Sequence, residues 1–293
     1  MCSHRAAIQR FPMFDGDHPP LLPILIVPAE RGKIMNYWTQ SKENIFVAAH
    51  RGWKEKYAEN TMEAFRSAAN LGVDQIETDI RLTKDGELVL FHDDTLERVT
   101  DGSGKVCEHT LAELKKLKVK GMDNIPTFAE LLEMMRDYPK LTLDVELKEY
   151  PTEGREELSY STCDRVLQLL SVYHLDDRCV INTFSGKLHE YIYRTYQGKY
   201  KQHVYYPQRC LGPCEVDPYS YAYCTCVFGV QEGDVTIDDV HKLHRETGVR
   251  IWAGAYVKDE ESVDLAIRMG AELITCDNPD KVLDILRKKK LHC

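Results

Sequence analysis

The 293-residue chain predicts an α/β fold, a TIM-type (β/α)8 barrel with a small insertion after its second strand. Three observations carry that expectation. From Asn44 onward, short apolar runs alternate with helix-period segments seven or eight times, the pattern of a parallel sheet covered by helices. The length suits one such domain, and no composition break or repeat divides it. No G-x-G-x-x-G follows the first strand, which counts against a doubly wound, dinucleotide-binding sheet.

The elements follow in order. Ile45 to Ala49 reads as a buried strand. Thr61 to Leu71 reads as a helix, with Phe65, Ala68 and Ala69 on one face, Asn60 and Glu63 as cap and box partner, and Gly72 as its stop. Gln75 to Leu82 is the second strand. The turn Lys84-Asp85-Gly86 leads to a hairpin-like excursion over Leu88 to Phe91. Residues 95–126 break the rhythm with Gly102, Gly104, Gly121, Pro126 and one short helix, so they read as the insertion. Phe128 to Arg136 is helical, Leu141 to Leu147 a strand, Glu156 to Val172 a helix, Cys179 to Thr183 a strand and Gly186 to Tyr196 a helix. Lys201 to Tyr206 is a further strand, and residues 207–230 give no clear pattern. The rest alternates as Thr236 to Thr247, Arg250 to Gly254, Asp259 to Met269, Leu273 to Cys276 and Pro279 to Lys288.

Residues 1–43 read as an irregular, proline-rich arm before a barrel domain over 44–293, and Met35 is a candidate start. The apolar run Leu21 to Val27 is too short to span a bilayer, and Asp15 and Asp17 ahead of it do not suit a secretory signal. The net charge of −9, with no basic stripe, excludes a phosphate-backbone binder as the first expectation. Ten irregularly spaced cysteines suggest reduced thiols and a cytoplasmic location. Cys224-Thr225-Cys226 is too tight for a C-x-x-C metal pair, its thiols expected on opposite sides of an extended segment.

The informative charges fall on strands. His50 and Arg51 end the first. Glu77 and Asp79 on the second are two residues apart and therefore share a face, with Ile76, Thr78 and Ile80 on the other. His92 follows Leu88-Val89-Leu90-Phe91. Asp144, Glu146 and Lys148 alternate with Val145 and Leu147. Singly, each charge reads as a solvated or edge feature. Jointly they conflict with the continuous apolar runs that a closed parallel barrel requires. Uncompensated burial of three carboxylates is prohibitive, and a bound cation removes the conflict. Hard oxygen donors suit Mg2+ or Ca2+ better than Zn2+. A divalent cation, Arg51, Lys148 and two imidazoles make a site suited to a phosphodiester, with acid and base on opposite sides of phosphorus.

The segments "AHRG" (49–52), "ENTMEAF" (59–65), "GVDQIETDIRLTKDGELVLFHDDTLERVTDGSGKV" (72–106), "IPTFAELL" (125–132), "LDVELK" (143–148), "TF" (183–184), Trp252 after "GVRI", and "GAELITCDNP" (270–279) closely resemble the glycerophosphodiester phosphodiesterase family over about residues 45–288. The resemblance implies a TIM barrel with an insertion after the second strand. It implies Glu77, Asp79 and Glu146 as metal ligands, His50 and His92 as the acid–base pair, Arg51 and Lys148 as phosphate contacts, and Trp252 as an aromatic at the pocket mouth. The implied reaction releases sn-glycerol 3-phosphate and an alcohol from a small glycerophosphodiester, with a neighbouring glycerol hydroxyl attacking phosphorus first. Glu59, near a helix start where acids are favoured, stays outside the metal set. Ala58 stands where the family often has Pro, and Ala253-Gly254-Ala255 where it commonly has Thr-Val-Asn, which reshapes the leaving-group pocket. Two rivals remain on the sequence: a lysophospholipase D or phosphatidylinositol-type phospholipase C on the same barrel, for which Trp53 and Tyr57 offer lipid contacts, and a non-catalytic binding barrel. Neither nucleic acid nor stable membrane insertion is expected.

Overall fold

The computed structural model describes residues 44–208, 212 and 214–292. The expected arm over residues 1–43 and the candidate start Met35 lie outside the described residues. Nine strands form one sheet: β1 (Phe46–His50), β2 (Gln75–Leu82), β3 (Leu88–Leu90), β4 (Thr142–Leu147), β5 (Cys179–Asn182), β6 (Lys201–Tyr206), β7 (Cys224–Val227), β8 (Arg250–Ala253) and β9 (Leu273–Cys276). Eight of them pair in parallel and close on themselves, because β1 pairs with both β9 and β2. The ninth, β3, pairs antiparallel with β2 outside the ring, the expected excursion, which leaves β4 beside β2.

Period-two alternation decides what each strand contributes. Ile76, Ile80, Val145 and Leu147 point outward into a core shared with Phe65, Ala68, Leu131 and Leu167 of the surrounding helices. Ala48, Val180, Cys224, Trp252 and Leu273 fill the interior. Residues 95–126 fold over β3 with a small core of their own, in which Leu96, Val99, Val106, Leu114, Val119 and Ile125 pack with Val89 and Phe91.

The strand missed in residues 207–230 is β7, where Cys-Thr-Cys-Val lacks the long aliphatic run that marks a buried strand. Its two cysteines share the inward face rather than opposing faces, as a two-residue spacing in an extended chain requires. The first helix, Met62–Leu71, is capped by Thr61, which accepts from the Ala64 amide. The expected cap, Asn60, instead turns its side chain into the barrel. Among the described residues, Cys107, Cys163, Cys179, Cys224, Cys226 and Cys276 are free thiols. No helix among the described residues is long and apolar enough to cross a membrane.

Candidate active site

Strand register builds the site. His50 pairs with Glu77 across β1 and β2, and Asp79 with Glu146 across β2 and β4. All four side chains therefore point inward at the carboxyl ends of adjacent strands. Carboxylate oxygens of Glu77, Asp79 and Glu146 lie within 4.8 Å of one another, and all three residues are buried. Asp144 lies one inward position deeper, where it is 2.7 Å from His203 Nδ1.

Two cations face the acids. Lys148 Nζ is 3.1 Å from Asp79 Oδ1 and touches Glu146. Arg51 Nε is 3.3 Å from Asp79 Oδ2, and the Arg51 amide donates to Glu77 Oε2 at 2.9 Å. Arg51 adopts a left-handed conformation (φ 58°), which turns the chain abruptly out of β1. Gly52 follows at φ 81°, where a Cβ would meet Ala64 at 2.8 Å. That close approach and the positive φ account for glycine at position 52.

Three buried carboxylates outnumber two cations, and the excess pushes the pKa values of two of them up. Burial, then the charges of Asp79 and Glu146, push Glu77 well above the ordinary range. Burial also raises Glu146 to about 7, with Asp79 adding to the shift. For Asp79, burial is outweighed by Lys148 and then Arg51, which hold it below the usual range. Burial would lower Lys148, but Asp79 and Glu146 raise it by more. Three close, inward, all-oxygen donors with surplus negative charge fit a hard divalent cation.

Both imidazoles are held by carboxylates at Nδ1. His50 Nδ1 is 2.5 Å from Asp277 Oδ1, and its Nε2 is 3.9 Å from Glu77 Oε2. His92 Nδ1 is 2.6 Å from Asp93 Oδ1. Such partners fix the tautomer and leave Nε2 for proton transfer. Burial lowers the pKa of both rings; Asp277 opposes this at His50 and Asp79 at His92. A recess of about 420 Å³ is lined by His92, Lys148, Arg81, Tyr150 and Phe184. A larger one, about 910 Å³, borders Asp277, Lys54, Tyr256 and Lys258.

Trp252 lies inside the barrel. It is 2% exposed, part of the interior packing, and edge-on to His203 with ring centroids 5.0 Å apart. Its place on the inward face of β8 buries it among the interior side chains. Glu59 is not a first-turn acid: it is 3% exposed and bound by Arg51 and Arg98. Asn60 donates to Asp79 Oδ2 at 2.8 Å and accepts from Thr78. Asp277, Asp93, Arg98 and Asn60 were not among the expected site residues. All four lie within quoted motifs, but their spacing gives no sign of their partners.

The Ala253-Gly254-Ala255 departure also has a structural consequence. A Cβ on Gly254 would lie 2.5 Å from Phe228 Cε1. The missing side chain thus makes room for Phe228, whose ring neighbours Tyr205, itself stacked on Phe184 at 4.2 Å. Phe228, Tyr205 and Phe184 form a row of aromatic rings next to Gly254.

The barrel and the acid–cation–imidazole constellation at its mouth define a class, the phosphoric diester hydrolases. The model of the Glycerophosphoryl diester phosphodiesterase family matches residues 50–281, and the chain belongs to that family. A glycerophosphodiester phosphodiesterase of Caldanaerobacter subterraneus is 30% identical over 256 residues, covering 83% of this chain and 98% of that protein. Among solved structures, an Oleispira antarctica phosphodiesterase in complex with the product sn-glycerol-3-phosphate matches with a TM-score of 0.69 at 24% identity, covering 83% of this chain and 96% of that one. A glycerophosphodiester phosphodiesterase from Parabacteroides distasonis matches with a TM-score of 0.69 at 22% identity, covering 85% and 99%. The family's reaction is hydrolysis of glycerophosphodiesters.

Proposed function

We propose that this enzyme hydrolyses small glycerophosphodiesters to sn-glycerol 3-phosphate and an alcohol, using a divalent cation, Mg2+ or Ca2+, with His50 and His92 as general acid and base. The observation that carries the reading is the convergence of Glu77, Asp79 and Glu146 within 4.8 Å, flanked by two imidazoles whose Nδ1 atoms are each held by a carboxylate. Glu77, Asp79 and Glu146 would hold the cation. When bound, it neutralises charge on the phosphoryl oxygens and orients the diester.

The chain's own groups do the rest. Arg51 and Lys148 bind the non-bridging phosphoryl oxygens. One imidazole takes the proton of the glycerol hydroxyl next to the phosphate as its oxygen attacks phosphorus; the other gives a proton to the departing alcohol. A cyclic phosphate results. Water then opens it with the two imidazole roles reversed. An attacking group already tethered to phosphorus gains effective molarity over free water. Trp252 supports the site from within the barrel. Free thiols on the described residues favour a cytoplasmic location.

Product analysis tests the reading. Glycerophosphocholine incubated with the metal-reconstituted enzyme should yield sn-glycerol 3-phosphate and choline. Chelator should abolish turnover, and Mg2+ or Ca2+ should restore it. Full activity after exhaustive metal removal, or a preference for a lysophospholipid at equal concentration, overturns it.

A further inference from the structure

We infer that Arg98, contributed by the insertion, is a positioning residue that holds Arg51 and His92 in place at once. The inference rests on the roles proposed above for those two residues.

One guanidinium connects two carboxylates, and each carboxylate holds a side chain of the site. Arg98 forks onto Glu59, Nη1 to Oε2 at 2.9 Å and Nη2 to Oε1 at 2.7 Å. Glu59 Oε1 also accepts from Arg51 Nη1 at 2.9 Å. On its other edge, Arg98 Nε donates to Asp93 Oδ2. The second oxygen of Asp93 is 2.6 Å from His92 Nδ1. The path Arg51, Glu59, Arg98, Asp93, His92 is therefore continuous.

Arg98 itself is partly exposed, and an exposed ion pair contributes little to stability. Its acceptors set it apart. Glu59 is buried, and a buried carboxylate must be paired. The fork needs a planar cation: a lysine ammonium is a point charge and cannot engage both acids in this geometry. Leu96 and Val99, on either side in sequence, are buried in the insertion's small core, which anchors the segment carrying Arg98. The insertion thus reaches the catalytic mouth through Arg98.

The test uses full-length Arg98→Met and Arg98→Lys, glycerophosphocholine as probe, and imidazole 15N spectra with His92 assigned through His92→Ala. In folded Arg98→Met, kcat should fall on the order of 10²-fold and KM rise about tenfold. The His92 resonances should move while those of His50 stay. Arg98→Lys should recover only a small part of either loss. Adding Asp93→Asn to Arg98→Met should cost kcat little more, because both changes cut the same link. Near-normal kcat and KM with an unmoved His92 spectrum overturns the inference. If Arg98→Met fails to fold, Asp93→Asn and Glu59→Gln decide: the first must lower kcat with KM little changed, the second must raise KM. A change in thermal stability alone in both overturns it. Should the wild-type enzyme not turn over the probe while the His92 resonances still move in Arg98→Met, positioning stands and the substrate assignment fails.

Discussion

His50 Nδ1 and Asp277 Oδ1 lie 2.5 Å apart, although 227 residues separate them in sequence. The contact exists because β9, which Asp277 follows, closes the barrel against β1, which His50 ends. Asp277 is also held by Lys54, 3.0 Å away. The last strand of the ring thereby orients the imidazole of the first.

Asp277→Asn should lower kcat on the order of 10²-fold with little change in stability, because the amide no longer secures the tautomer that presents Nε2. The pH–rate profile supplies the sign. Asp277 raises the His50 pKa against the lowering effect of burial. In the variant, whichever limb His50 sets should move to lower pH. An unmoved profile with near-normal kcat would separate Asp277 from the chemistry.

Cation binding should release protons. Glu146 sits at about 7 and Glu77 is pushed well above its ordinary range, so a metal must displace protons from this pair as it binds in mild acid. Apparent affinity should rise with pH through the titration of Glu146 at about 7. Calorimetry in buffers of different ionisation enthalpy measures the release. Metal-free protein should show the matching trend. Glu146 has a raised folded pKa, so its contribution is fully present below about pH 4.5 and is lost as pH rises through about 7, and Glu77, also raised, acts in the same direction. Chemical denaturation of apo-enzyme across that window tests this.

Glu59 has the opposite linkage. Burial alone would raise it, but Arg98 and Arg51 hold it down at about 2, against an ordinary 4.5. Its stabilising contribution, up to about 3 kcal/mol, is present above pH 4.5 and lost as pH falls through 2. Glu59→Gln should therefore be less stable than wild type near pH 7, and the gap should narrow in acid. Equal stability at neutral pH would refute the ion-pair account.

Gly254→Ala should cost about 1–3 kcal/mol, since the new methyl would overlap the Phe228 ring. Phe228→Leu in the same chain should recover part of that loss. Thermal unfolding of both single variants and the double variant measures the coupling. Strict additivity would mean that the two residues do not share this space.

Much of the barrel was legible in the sequence because buried parallel strands and amphipathic helices write their periods into local stretches. Gln75–Leu82, Glu156–Val172, Gly186–Tyr196 and Pro279–Lys288 fall where periodicity places them. The gap was β7, a four-residue strand, Cys-Thr-Cys-Val, too short and too poor in aliphatic residues to show a period of its own. For the acid cluster, alternation set Glu77 with Asp79 on one face, and the cost of burying charge implied a cation.

The sequence by itself determined the elements, the inward faces and the residue types that gather at the strand ends, since each follows from periods of two or 3.6 residues along one segment. Only the tertiary structure decided which Asp holds which His, that Glu59 joins Arg51 to Arg98, and that Trp252 is buried while Phe228 fills the space beside Gly254. Those pairings depend on ring closure and strand register, which bring together residues whose separation along the chain carries no periodic signal.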